Sequence, residues 1–205
     1  MKSSAWLWAA FALFPGTAGI LLYAQTLSGD ALLKGLRQGG YVIVMRHASS
    51  PREAPDKQTA NADNTSDERQ LDADGRASAV AMGKALRRLK IPLGEVFTSP
   101  TYRALETVRL TQFRNPRPQA ELGDNGQSMQ GGTEAQAAWL RKKVTQFPTG
   151  TNTIVITHVP NIRGAFPQLE PTPEDGEALV FGPDGKGGAT VVARIKIEDW
   201  PKMRS

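Results

Sequence analysis

Tyr41-Val42-Ile43-Val44-Met45 is an unbroken run of apolar, β-prone residues, and Arg46-His47 follow it at once. A strand with one wet face alternates polar and apolar residues; this run does not, so it is expected to be buried on both faces. Strands of that kind belong to the interior of a parallel sheet covered by helices on each side. Thr153-Ile154-Val155-Ile156-Thr157 repeats the pattern, and His158 follows it. Glu95-Val96-Phe97-Thr98 is a shorter strand that runs into Ser99-Pro100.

The intervening segments read as helices. Asp30–Gln38 carries Leu32, Leu33 and Leu36 at helical spacing, with Ser28 or Asp30 as cap and Gly39-Gly40 as stop. Asp74–Leu89 places Ala77, Val80, Ala81, Ala85, Leu86 and Leu89 on one side. Ser99 and Pro100 suit the N-cap and first position of a helix reaching about Gln112, and Thr133–Gln146 reads as a further helix. Residues 48–68 and 115–132 show no periodicity and are expected to be loops. Glu177–Phe181 and Thr190–Ile197 read as two strands joined by a turn over 183–188. This order predicts an α/β three-layer sandwich with a mostly parallel central sheet and an antiparallel pair at one edge.

The 205-residue chain fits one domain with or without an appendage, and at 40% apolar it can bury a core. A charged fraction of 22% argues against wholesale disorder. The net charge of +5 is not gathered into one run. Arg87-Arg88-Leu89-Lys90 and Arg141-Lys142-Lys143 read as solvated helix faces, the alternative being a surface for anionic substrates or lipid headgroups. No nucleic-acid motif accompanies the charge, and the absence of cysteine excludes disulfides and thiolate chemistry.

Residues 1–25 have the layout of an export segment. Lys2 is their one charge, residues 5–24 are almost wholly apolar, and Leu22-Tyr23-Ala24 ends on a small residue. The run is also long enough to span a bilayer, so a cleaved signal peptide and a retained N-terminal membrane anchor both stay open. Either places the remainder outside the cytoplasm, in the periplasm or secreted, with membrane association through residues 5–24 in the anchored form. The folded domain is expected over residues 29–200.

Open α/β sheets bind ligands beyond the carboxyl ends of their strands. Those ends carry Arg46-His47, then Ser99-Pro100-Thr101-Tyr102-Arg103, then His158. The chain has two histidines, and both fall at such positions. Two guanidinium groups, two imidazoles and a helix N-terminus on one rim suit a phosphate dianion. Neighbouring cations are expected to lower the pKa of His47 and keep it neutral and nucleophilic. Ser49 and Asn161 are either further phosphate donors or turn residues, and Glu106 is expected to pair with Arg103 or Arg109.

Val44-Met45-Arg46-His47-Ala48 resembles the Arg-His-Gly signature of the histidine phosphatase superfamily, the phosphoglycerate mutase-like fold. Ser99-Pro100-Thr101-Tyr102-Arg103-Ala104-Leu105-Glu106-Thr107 resembles its Ser-Pro-x-x-Arg-Ala-x-x-Thr element, and Ile156-Thr157-His158 its second histidine strand. Leu71-Asp72-Ala73-Asp74-Gly75-Arg76 resembles its leucine-and-glycine helix start, so the likeness runs over about residues 29–197. The resemblance implies that His47 forms a phosphohistidine while Arg46, Arg103 and His158 hold the phosphoryl oxygens, with no metal and no cofactor. Ala48 departs from the usual glycine, and Val159 removes the His-Asp pair of the acid-phosphatase branch. The proton donor is unassigned; Glu121 is the favoured carboxylate, with Asp124 in the same region. The expected activity is hydrolysis of a phosphorylated small molecule or envelope sugar. The alternatives are a phosphoprotein or phosphohistidine phosphatase and a catalytically silent phosphate-binding module.

Overall fold

The computed structural model describes residues 26–51, 68–124 and 133–204; the expected export segment, residues 1–25, lies outside them. Among the described residues no helix is long and apolar enough to cross a membrane. The elements follow in the order α1 (Gly29–Gln38), β1 (Val42–Arg46), α2 (Ala73–Arg88), β2 (Leu93–Thr98), α3 (Tyr102–Thr111), β3 (Pro116–Pro118), α4 (Glu134–Val144), β4 (Asn152–Thr157), α5 (Val159–Ala165), β5 (Ala178–Pro183) and β6 (Ala189–Ile195). Short 3-10 turns at Ala120–Leu122 and Trp200–Lys202 complete the set.

The strands form one sheet in the order β3-β2-β4-β1-β5-β6. The first four are parallel, and β5 and β6 add an antiparallel pair. The period of two divides β1 between two cores. Ile43 and Met45 pack with α1, α2 and α3 on one face. Val42 and Val44 pack with α4 and α5 on the other. This is the three-layer sandwich expected from the sequence.

The differences are local. Residues 115–132, expected as a loop, contain β3 and the turn at Ala120–Leu122. β3 has only three residues, two of them proline, so no strand pattern marks it. The backbone N–H of Gln119 donates to the Thr98 carbonyl across the pair. Alternation then turns positions 116 and 118 away from β2, where proline has no donor to lose. α5 follows His158 directly with Pro160 in its first turn, and its seven residues are too few for periodicity to reveal. The α3 helix starts two residues later than its Ser-Pro start suggests: Thr101 is the N-cap, and the Thr101 N–H donates to Ser99 Oγ at 3.2 Å.

The basic patches are not simply solvated faces. Arg87 donates to the Thr111 carbonyl and Arg88 to those of Pro201 and Met203. Arg141 pairs with Glu134, and the Lys143 ammonium lies 4.3 Å from the Phe97 ring centroid. These cations close chain ends and cover aromatic surface.

Candidate active site

The register of the two central strands brings the histidines together. Arg46 pairs with Thr157 across β1 and β4, so the residues that follow, His47 and His158, leave the sheet side by side. The His47 N–H donates to the Thr157 carbonyl at 3.1 Å. The imidazole centroids stand 5.1 Å apart, and both residues are 2% exposed.

Arg103 enters from the first turn of α3 and touches both rings. Its Nε donates to His47 Nε2 at 3.1 Å and its Nη2 lies 3.2 Å from His158 Nδ1. A guanidinium can only donate, so both contacted nitrogens are acceptors. The opposite ring nitrogens therefore carry the protons. His47 Nδ1 donates to the Ala48 carbonyl at 2.8 Å, and His158 Nε2 donates to Ser99 Oγ at 2.8 Å. The network thus leaves the Nε2 lone pair of His47 facing the site.

Burial is the main reason that His47 is held neutral, well below its ordinary value of 6.5; His158, Arg103 and Arg46 follow as smaller causes. For His158 burial again leads, followed by Arg103, Arg46 and Arg69. The cations expected from the sequence contribute, but removal from water outweighs them.

The loop that carries His47 is fastened on three sides. Its Ala48 N–H donates to Thr107 Oγ1 at 3.1 Å, and that hydroxyl donates to the Arg103 carbonyl at 2.8 Å. Ser49 Oγ donates to Asp72 Oδ2 at 2.6 Å, while Asp72 Oδ1 caps α2 by accepting the Gly75 N–H at 2.7 Å. A Cβ at position 75 would fall 2.1 Å from the Ser49 carbonyl oxygen, so glycine is what lets α2 close on this loop. The Gly176 N–H donates to the His47 carbonyl at 2.9 Å.

A model of the histidine phosphatase superfamily, branch 1, matches residues 42–137, from β1 into α4. That span, which holds the Arg46-His47 and Ser99–Thr107 signatures, is similar to the histidine phosphatase superfamily. The fold agrees: the protein histidine phosphatase SixA, solved in complex with tungstate, superposes with a TM-score of 0.55 at 19% identity, over 78% of this chain and 98% of its own. A phosphoserine phosphatase variant from Entamoeba histolytica, in complex with phosphoserine, gives 0.51 at 10% identity, over 77% and 98%. No curated protein matches the sequence. His158 lies past the matched span, and the β1–β4 register sets it beside His47 within that span.

Arg46, Arg103, His47 and His158 therefore converge as the sequence suggests. Each arginine also has a carboxylate partner. Arg46 Nη2 is 2.6 Å from Asp175 Oδ1, and Arg103 Nη2 pairs with the buried Asp124. Of the two carboxylates considered near residue 121, Asp124 reaches the site. The Glu121 side chain makes no hydrogen bond or ion pair among the described residues, and its backbone carbonyl accepts from Asn161.

Other expectations resolve as structural contacts. Ser49 binds Asp72, Asn161 binds the carbonyls of Glu121 and Gly123, and Glu106 pairs with Arg109. The first N–H of α3 does not wait for phosphate: Tyr102 N donates to Glu68 Oε2 at 2.7 Å. A carboxylate of the protein thus sits at the expected anion-binding helix end. Sequence reasoning missed Asp175, Glu68 and Arg69, which lie in stretches with no periodic or motif signal.

Proposed function

We propose that this chain is a phosphomonoesterase that works through a phosphohistidine on His47 Nε2. The observation that carries the reading is the single Arg103 guanidinium spanning His47 Nε2 and His158 Nδ1. It holds one imidazole in the nucleophilic tautomer and marks the point where a tetrahedral anion sits.

In the proposed cycle the phosphoryl group displaces these apo contacts. Arg46, Arg103 and His158 hold its oxygens, His158 donating from Nδ1 once its ring proton has moved there from Nε2. The His47 Nε2 lone pair attacks phosphorus in line, forming the N–P bond as the ester P–O bond breaks. The leaving alkoxide takes its proton from solvent water, since Asp124 is held as a carboxylate by Arg103. Water then attacks phosphorus from the vacated side, the N–P bond breaks, and inorganic phosphate leaves. No step of this route calls for a metal ion.

The substrate class we propose is a phosphorylated small molecule or envelope sugar, and the place of action is outside the cytoplasm. The support is the apolar export layout of residues 1–25. The likeness to SixA supports a second reading, a phosphatase for phosphohistidine on protein. Turnover of phosphosugars against phosphohistidine peptides separates the two.

Brief exposure to a phosphomonoester followed by quenching is expected to leave acid-labile, base-stable phosphate on His47. His47→Ala is expected to lose both the label and hydrolysis of p-nitrophenyl phosphate. Full turnover by His47→Ala sinks the mechanism.

A further inference from the structure

Counting charge around the site exposes an imbalance that the two-arginine clamp does not explain. Arg46 is paired with Asp175 and Arg103 with Asp124, so each clamp cation is already offset by a carboxylate. Both imidazoles are neutral near pH 7. The four clamp side chains and their two acids thus present no net charge to an incoming dianion.

Arg69 supplies the missing cation. It is half-buried, and its Nε donates to the Pro51 carbonyl at 2.7 Å while its Nη2 donates to that of Ser50 at 3.1 Å. Ser50 and Pro51 lie three and four residues past His47, so these bonds hold the guanidinium beside the nucleophile loop. Carbonyl oxygens fix the group without cancelling its charge, and Arg69 makes no ion pair among the described residues. Its neighbours agree with this placement: Arg103 and Arg46 act on its charge as repelling cations, and Asp124 and Asp175 as attracting anions. It in turn disfavours protonation of His158. Those five residues come from five separate parts of the chain and share the one site.

We propose that Arg69 is a third anion-binding guanidinium of this site and offsets the carboxylate charge, Glu68 at the start of α3 included, that otherwise opposes the incoming phosphate. The proposal rests on the phosphatase reading above and deepens it. A cation held by carbonyls at the rim is preorganised, so it adds charge-assisted hydrogen bonds to a phosphoryl oxygen with little ordering cost. Arg46 and Arg103, by contrast, must first exchange a carboxylate for the ligand.

The test is calorimetric binding of inorganic phosphate to the full chain, wild type against Arg69→Gln and Arg69→Lys, at two salt concentrations, beside p-nitrophenyl phosphate hydrolysis and thermal melts. Arg69→Gln is expected to weaken phosphate binding about tenfold or more, as for loss of a hydrogen bond to a charged group. It should also flatten the salt dependence, and raise KM more than it lowers kcat. Arg69→Lys keeps the charge and should bind phosphate more nearly as wild type does. Phosphate affinity unchanged in both variants overturns the proposal. So does an equal loss in both that tracks a lower melting temperature, because that is the signature of a loop clasp. If Arg69→Gln does not fold, Arg69→Lys decides alone: near-wild-type affinity despite a lower melting temperature supports the proposal, and weakened affinity overturns it. A wild type that neither binds phosphate nor hydrolyses the ester fails the phosphatase reading itself; a wild type that does both, with unaltered variants, fails only the assignment of Arg69.

Discussion

Arg103 meets both imidazoles and Asp124 at once, so its geometry, not only its charge, is at stake. Lysine offers one compact ammonium in place of the planar fork. Arg103→Lys is expected to lower kcat about a hundredfold or more, as when a preorganised donor is removed from a charge-developing site, measured with p-nitrophenyl phosphate. The two histidines make a pH prediction. Their folded pKa values lie well below 6.5, so between those values and 6.5 the unfolded chain binds more protons than the folded one. Stability is then full above about pH 6.5 and falls as pH drops toward the folded values. Urea midpoints measured downward from pH 7.5 should decline below 6.5, and less steeply in a His158→Gln variant, in which His47 alone remains. His47, Arg46, Arg103 and His158 were legible because each stands just after a strand or near a helix start. Asp175 and Arg69 were not: their roles arise from pairing across the fold, and no local pattern of sequence encodes such a partner.

At the level of elements, what the sequence revealed was whatever had a period or a cap. The runs at β1 and β4 were readable because nothing polar interrupts them. The α4 helix was readable from Thr133, which forms a capping box with Gln136. The start of α3 misled because Ser99-Pro100 is a sound helix opening by local rules, yet Ser99 Oγ is needed against His158. The site took the residue that propensity would have given to the cap. The close approach of α2 to the His47 loop yields a test. Gly75→Ala forces a methyl group against the Ser49 carbonyl, from which an ideal Cβ lies 2.1 Å away. About 1–3 kcal/mol of overpacking strain is expected by urea denaturation. Activity should fall with it, because Ser49 is two residues from His47.

Taken as a whole, the molecule closes its first core with a residue far from the site in sequence. Trp200, in the final 3-10 turn, is fully buried in the layer shared with α1, α2 and α3. Trp200→Ala should cost about 3–5 kcal/mol, read from urea denaturation. Trp200→Phe should cost less, since the indole N–H finds no acceptor among the described residues. The three-layer plan was visible from the alternation of elements. The strand order was not, because β4 inserts between β1 and β2 and only three-dimensional pairing reports it. The sheet ends at one side on Pro116-Arg117-Pro118, with its proline positions facing outward. A second copy sliding against that margin meets carbonyls but no donors at those two places, and cannot extend the ladder. Crowded copies can therefore touch there without zipping into a continuous ribbon.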